Sequence, residues 1–353
     1  MEKLEVLACV ARLSRHVSRI LGQNPGKFTL QGTNTYLIGE HRPYTLIDTG
    51  EGKPEYVPLL ESVLLEDRVP PPSDSQRRAN ATESHSDQQQ QHISDIIISH
   101  WHPDHVGGIP SVLALLRRLW DTQNPSLPFR PPRLHKFPHT TLPDNRLALI
   151  EGTILAGSYE PSPSGSLFHD LKDGQSFPIT TTTSDSRADP AELRIIHSPG
   201  HTEDSICLHS PSDNVLYTAD TVLGQGTAVF ENLATYMSTL QSLLSLRDKY
   251  AVLYPGHGPV VQDGAQLITT YISHRTEREN QILLLVQQPP PGESKETWST
   301  WDLVSEIYAA YPKSLWDPAA KSVSQHLEKL SSEGRVRRLG GEGKDAQWEL
   351  LKL

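Results

Sequence analysis

Short apolar runs closed by glycine open the chain. TNTYLIG (33–39) and YTLIDTG (44–50) carry the β-branched and aromatic content of strands. KPEYVPLLESVLLED (53–67) switches to helical spacing of its apolar positions. Residues 68–92, rich in Pro, Ser, Asp and Gln, lose every period and predict a disordered insert in which His85 and His92 are merely solvated. Pattern returns with DIIIS (95–99), and IPSVLALLRRLW (109–120) has the spacing of an amphipathic helix. Proline-rich or polar linkers are expected at 121–133, 160–165 and 180–192. LRIIHS (193–198), SICLHS (205–210), NVLYTAD (214–220) and AVLYPGHG (251–258) predict strands, with helices over 234–248 and 265–288. PPPGES (289–294) predicts a hinge, followed by two helical patterns, a turn at Gly334 and a β-like RVRRL (335–339). Strands alternating with helices indicate an α/β protein, with one domain over 1–288 and a small second one over 295–353.

Four of the strand-like runs stop in the same way. DIIIS leads into His100-Trp101-His102-Pro103-Asp104-His105, RIIHSPG into His201, VLYTA into Asp220, and AVLYPG into His257. Strand ends of one sheet lie close together, so groups far apart in sequence can converge there. The turns Pro199-Gly200 and Pro255-Gly256 deliver the histidine that follows with little steric hindrance. Imidazole and carboxylate donors suit a divalent metal, zinc first, with manganese or iron also accepted. Seven donors exceed what one ion uses. Two ions fit: His100, His102 and His201 on one, Asp104, His105 and His257 on the other, with Asp220 bridging. Such a pair lowers the pKa of a shared water to about 7, making it a nucleophile. His16, His135, His139, His169, His197, His209 and His274 sit in no comparable setting and read as structural or solvated. Thr33, Asn34 and Thr227 are candidates for contact with substrate, although each is also an ordinary turn or strand residue.

Composition narrows the field. Two cysteines, Cys9 and Cys207, exclude a disulfide framework and fit a reducing compartment. The opening MEKLEVLACVARLSRHVSRILG mixes acidic residues into its apolar ones and lacks a small-residue cleavage site, which argues against a secretory leader. A cytoplasmic protein is expected, with a mitochondrial one as the alternative reading of those basic residues. No apolar run approaches the roughly 20 residues that span a bilayer. A net charge of −10 argues against a broad electrostatic grip on nucleic acid.

His100-Trp101-His102-Pro103-Asp104-His105 resembles the HxHxDH signature of the metallo-β-lactamase superfamily. SPGHTEDS, LYTADTVLG and YPGHGPVV are similar to its later motifs, in matching order. The resemblance covers roughly residues 15–285. It implies an αββα sandwich with a dinuclear site along one edge, and Asp104 as both ligand and proton carrier. Where many zinc β-lactamases place a cysteine ligand, this chain resembles the branch with Asp220. LGQNPGKFTLQGTNTYLIG, LKDGQSF, DTVLGQGTAVFENL and YISHRTERENQIL are similar to the β-lactamase-like protein 2 family and to fungal polyketide thioesterases. The tail resembles the small winged helix of the same family. Its nine Lys/Arg and nine Asp/Glu from Lys295 to Leu353 favour a packing or docking role over DNA binding.

The resemblance implies a thioesterase that releases an acyl or polyketide chain from an acyl carrier protein or polyketide synthase. The alternatives are a single-stranded RNA endonuclease, which calls for a basic channel, a glyoxalase II-like hydrolase of small thioesters, and a non-catalytic binding protein.

Overall fold

The computed structural model describes residues 4–66, 90–139, 145–182, 191–292 and 295–351. Most of the predicted insert, His85 included, lies outside the described residues. The chain divides into two compact units, Met1–Val229 with Leu246–Gly264, and Phe230–Ser245 with Ala265–Leu353.

The first unit is built on two sheets. The larger runs β1 (Val10–Arg12), β2 (Val17–Leu21), β3 (Asn34–Ile38), β4 (Tyr44–Ile47), β5 (Ile93–Ile98), β6 (Arg133–Lys136) and β7 (His169–Asp170) in sequential order. It is antiparallel as far as β4 and parallel beyond it. The smaller sheet orders β12 (Val252–Pro255), β11 (Val215–Ala219), β10 (Ile206–Ser210), β9 (Glu192–His197) and β8 (Ser176–Pro178). Only its β11–β12 pair is parallel.

The apolar runs are continuous because the larger sheet is covered on both faces. Successive side chains point to opposite sides of a strand. Leu37, Leu46, Ile96 and Ile98 therefore pack under the helices α1 (Tyr56–Leu65) and α3 (Ile109–Gln123), against Leu60, Leu64, Val112 and Leu116. Their neighbours Tyr36, Ile38, Ile47 and Ile97 face the second sheet and meet Ile195, Ile206, Leu208 and Tyr217. Between these helices lies α2 (Pro103–Val106), a single turn. The short α4 (Asn145–Glu151) also escaped the sequence pattern. So did β1 and β2. The five residues of β2 are all buried, yet VSRIL carries Ser18 and Arg19 and reads as neither a clean alternation nor an apolar run.

The second unit holds α5 (Leu233–Ser245), α6 (Gly264–Val286), α7 (Thr300–Ile307) and α8 (Trp316–Ser332), with a sheet ordered β13 (Trp298–Ser299), β15 (Gln347–Leu350), β14 (Val336–Gly340). Ser299 and Asp302 form a capping box at the start of α7. Leu303, Val323, Leu327 and Trp348 centre its core together with Ile282 of α6. The β14–β15 hairpin follows the turn at Gly334, whose φ of +70° suits glycine.

His92 is not solvated. It is 3 % exposed, its carbonyl accepts the Tyr44 amide, and burial, aided by the Arg42 guanidinium, pushes its pKa down to about 4. An unfolded histidine takes up its proton near pH 6.5. The unfolded chain therefore binds more protons as pH falls below that value, and stability is lost down to about pH 4. His92→Gln is expected to flatten this decline by an amount on the order of 3 kcal/mol. Thermal melts of both proteins between pH 7.5 and 4 check it, and parallel curves would refute it.

Candidate metal centre

Topology explains the convergence. β11 and β12 run parallel, so Asp220 and His257, just past their ends, emerge side by side, and the Gly256 amide donates to the Ala219 carbonyl at 2.7 Å. β9 runs in the same direction as β11 because both are antiparallel to β10, which brings the His201 loop to that edge. The facing end of β5 in the other sheet supplies residues 99–105. Backbone bonds join the two sheets here: Ile206 donates to Ser99 at 3.0 Å and Asn34 to Gly256 at 2.7 Å. Gly200 adopts φ +129°, and a Cβ on Gly256 would collide with the Asp220 carboxylate, so both turns need glycine.

All seven candidate donors meet at this edge, in two groups: His100, His102, His201 and Asp220, then Asp104, His105 and His257. Within the first, His100 Nε2 and His201 Nε2 each lie 3.0 Å from His102 Nδ1, and 3.2 Å from one another. Within the second, Asp104 Oδ2 lies 3.2 Å from both His105 Nε2 and His257 Nε2. Asp220 touches both groups. Its Oδ2 is 3.7 Å from His201 Nε2 and 3.2 Å from His257 Nε2, while Oδ1 is 3.5 Å from His105 Nε2.

These residues fit a divalent pair. His201 Nδ1 donates to the Val229 carbonyl at 2.7 Å, and His105 Nδ1 to Asp48 at 2.7 Å. With its outer nitrogen engaged, His201 turns the lone pair of Nε2 toward His100 Nε2 and His102 Nδ1, an arrangement that a cation satisfies. His105 Nε2 and Asp220 Oδ1 are buried and, among the described residues, neither makes a well-aligned hydrogen bond, although each lies within ion-pair distance of the other. Burial, with His105 and His201 adding, drives the pKa of His100 well down, and burial with the same two neighbours holds His102 at about 4. Burial also opposes protonation of His105, but Asp104, Asp48 and Asp220 more than offset it and raise it well above the usual value. His257 rises to about 9 against burial, chiefly through Asp220. Asp104 and Asp220 stay ionised despite burial, because of those histidines. Metal binding at the second group would therefore release protons.

Asp48 and Ser99 were missed by the sequence reading. Asp48 Oδ1 accepts the Ser99 amide and Oδ2 the Ser99 hydroxyl, each at 2.8 Å, while the same hydroxyl lies 3.0 Å from His100 Nδ1. The signal was present, since YTLID ends on an aspartate just as VLYTAD does. Thr33 and Asn34 are buried, 0 % and 1 % exposed, and their side chains are engaged within the protein. The Thr33 hydroxyl donates to Asp104 Oδ2 at 2.9 Å, and the Asn34 amide holds the Pro255 and Gly258 carbonyls. Thr227 does line the pocket above the cluster. Of the other histidines, His16 sits between Glu40 and Asp213 and His135 pairs with Asp95.

The pocket, of about 410 Å³, has His102, Asp104, His201, Asp220 and His257 as its floor. Phe28, Leu30, Leu223, Ala228 and Val229 form apolar walls, and Lys27 is the one Lys or Arg among its described lining residues.

Residues 28–117 and 176–257, which hold all seven donors, match the metallo-beta-lactamase superfamily, and residues 299–348 match the beta-lactamase associated winged helix domain. A Drosophila melanogaster protein, beta-lactamase-like protein 2 homolog, is 34 % identical over 95 % of this chain and 94 % of its own. The chain belongs to the metallo-β-lactamase superfamily. The expected fold is thereby shown: mixed α/β sheets of that superfamily followed by a winged helix. An atrochrysone carboxyl ACP thioesterase of a Cryptosporiopsis species is 30 % identical, over 94 % of this chain and 85 % of the relative. A beta-lactamase domain protein from Burkholderia ambifaria shares the fold at a TM-score of 0.63 and 16 % identity, over 98 % of this chain and 95 % of that one. The family is one of hydrolases that typically bind metal, and this chain's His/Asp cluster could hold it.

Proposed function

We propose that the protein is a dinuclear zinc thioesterase that releases an acyl or polyketide chain from an acyl carrier protein. The apolar wall of the pocket is the observation that carries this reading. Phe28 and Val229 are 70 % and 59 % exposed at the pocket, an arrangement suited to a greasy chain and poor for a polyanion. The −10 charge points the same way, and so does the printed name of the Cryptosporiopsis relative.

When bound, paired divalent ions supply Lewis acidity and an activated water. The protein's own part is to orient and exclude. Val229 is fixed through its carbonyl to His201, so its side chain stands at a defined place beside the floor. Asp104, 19 % exposed and held by the Thr33 hydroxyl, would be the carboxylate that relays a proton toward the leaving group. Little such help is needed, because a thiol with pKa near 8.5 leaves readily as thiolate.

The deciding assay offers metal-loaded protein an acyl-carrier thioester and a single-stranded RNA side by side. Thioester turnover with RNA untouched is expected. RNA cleavage with the thioester untouched would overturn the reading. Phe28→Ala is expected to raise KM for long acyl thioesters about tenfold, near the lower end for burying an aromatic ring, and to leave short ones alone. Steady-state kinetics across chain lengths check this.

A further inference from the structure

Lys136 and Asp204 form a closed ion pair, Nζ to Oδ2 at 2.6 Å, with side chains 5 % and 0 % exposed. The pair joins the two sheets. Lys136 ends β6 and is in register with Ile98, the last residue of the strand that delivers His100. Asp204 lies in the loop that delivers His201. Its other oxygen, Oδ1, accepts the hydroxyl of Thr202, the residue after His201, at 2.7 Å. Thr202 is wholly buried, its amide donates to Ser205 Oγ at 3.1 Å, and its carbonyl accepts the Gly200 amide at 2.9 Å. The loop is thus bound on both sides of His201. The residues after Lys136 extend the seam: Phe137 stacks on His197 at 3.8 Å between ring centroids, and His139 Nδ1 lies 3.9 Å from Glu203.

Buried ion pairs seldom add net stability over apolar residues of the same volume, so orientation explains this one better than stability does. The second group of donors has separate supports: Asp48 for His105, Thr33 for Asp104, and the Gly32 carbonyl, 3.4 Å from His257.

We propose that Lys136 is a positioning residue which, through Asp204 and Thr202, sets the His201 loop and so governs the metal held by His100, His102 and His201. This rests on the metal-centre reading above. The test is a zinc titration of the full-length protein against a competing chelator, with the visible spectrum of the cobalt(II) form as a second readout. Lys136→Met with Asp204→Asn leaves no unpaired charge and keeps an acceptor for Thr202. That double variant is expected to weaken one of two metal equivalents about tenfold or more, with the other unchanged and the cobalt spectrum altered. Thr202→Val, which cuts the link while sparing the ion pair, should do the same and decides the matter if the double variant does not fold. Lys136→Arg keeps the cation and should bind both equivalents as the wild type does. Variants that bind both equivalents normally, or lose both equally, would overturn the positioning role alone. Wild-type protein that takes up no metal would overturn the metal-centre reading and this proposal with it.

Discussion

Asp220→Ala is expected to weaken both metal equivalents and to lower turnover by more than about 100-fold, beyond the 10–100-fold cost of losing an outer-shell partner. Among the seven donors Asp220 is the one that reaches both groups, with Oδ2 toward His201 and His257 and Oδ1 toward His105. Loss of any one histidine would leave the other group its full donor set. Loss of Asp220 takes a donor from each. It also removes the main carboxylate that raises His257, whose pKa stands at about 9. Metal content by mass spectrometry and turnover of the thioester, measured on the same preparation, check the expectation. Retention of both equivalents would mean that Asp220 does not bridge.

Asp48→Asn comes second, with a loss on the order of 10–100-fold in metal affinity. As a carboxylate, Asp48 can only accept, so His105 must carry its proton on Nδ1 and present Nε2 to the cluster. An asparagine whose oxygen keeps the Ser99 amide turns its NH2 toward His105 Nδ1, which favours the wrong tautomer. The backbone tolerates the change, because Asp48 has φ +60° and asparagine accepts that region. A melting temperature close to the wild type's, with one metal equivalent weakened, is therefore the expected pair of results. Unchanged affinity would show that Asp48 merely fills the space beneath His105.

Much of the architecture was legible because burial leaves a period. The runs of β3, β4, β5 and β11 could be read directly, since both faces of those strands are covered and apolar residues follow one another without a break. β2 could not, because Arg19 is accommodated there by a bond to the Ala8 carbonyl, a partner with no trace in local pattern. His92 was misread for a related reason. Its polar neighbours in sequence say nothing of Arg42 and Gln123, which pack beside it from other elements.

The donor set was legible for a different reason. Histidines and aspartates past the ends of apolar strands are chemically conspicuous, and all seven could be named before any coordinate. Their chemistry is carried by the side chains themselves, so the kind of centre they can build was determined by sequence alone. Which donors share an ion, which nitrogen of each histidine faces inward, and what holds it there depend on partners far off in chain order: Val229 is 28 positions from His201, Asp48 57 from His105 and Gly32 225 from His257. Asp48 under His105, the Val229 carbonyl on His201 and the Lys136–Asp204 pair between the sheets exist only once parallel strands have brought their ends to one edge. Hydrogen bonds and ion pairs act over a few ångströms and leave no period along the chain, so only the tertiary structure could decide them.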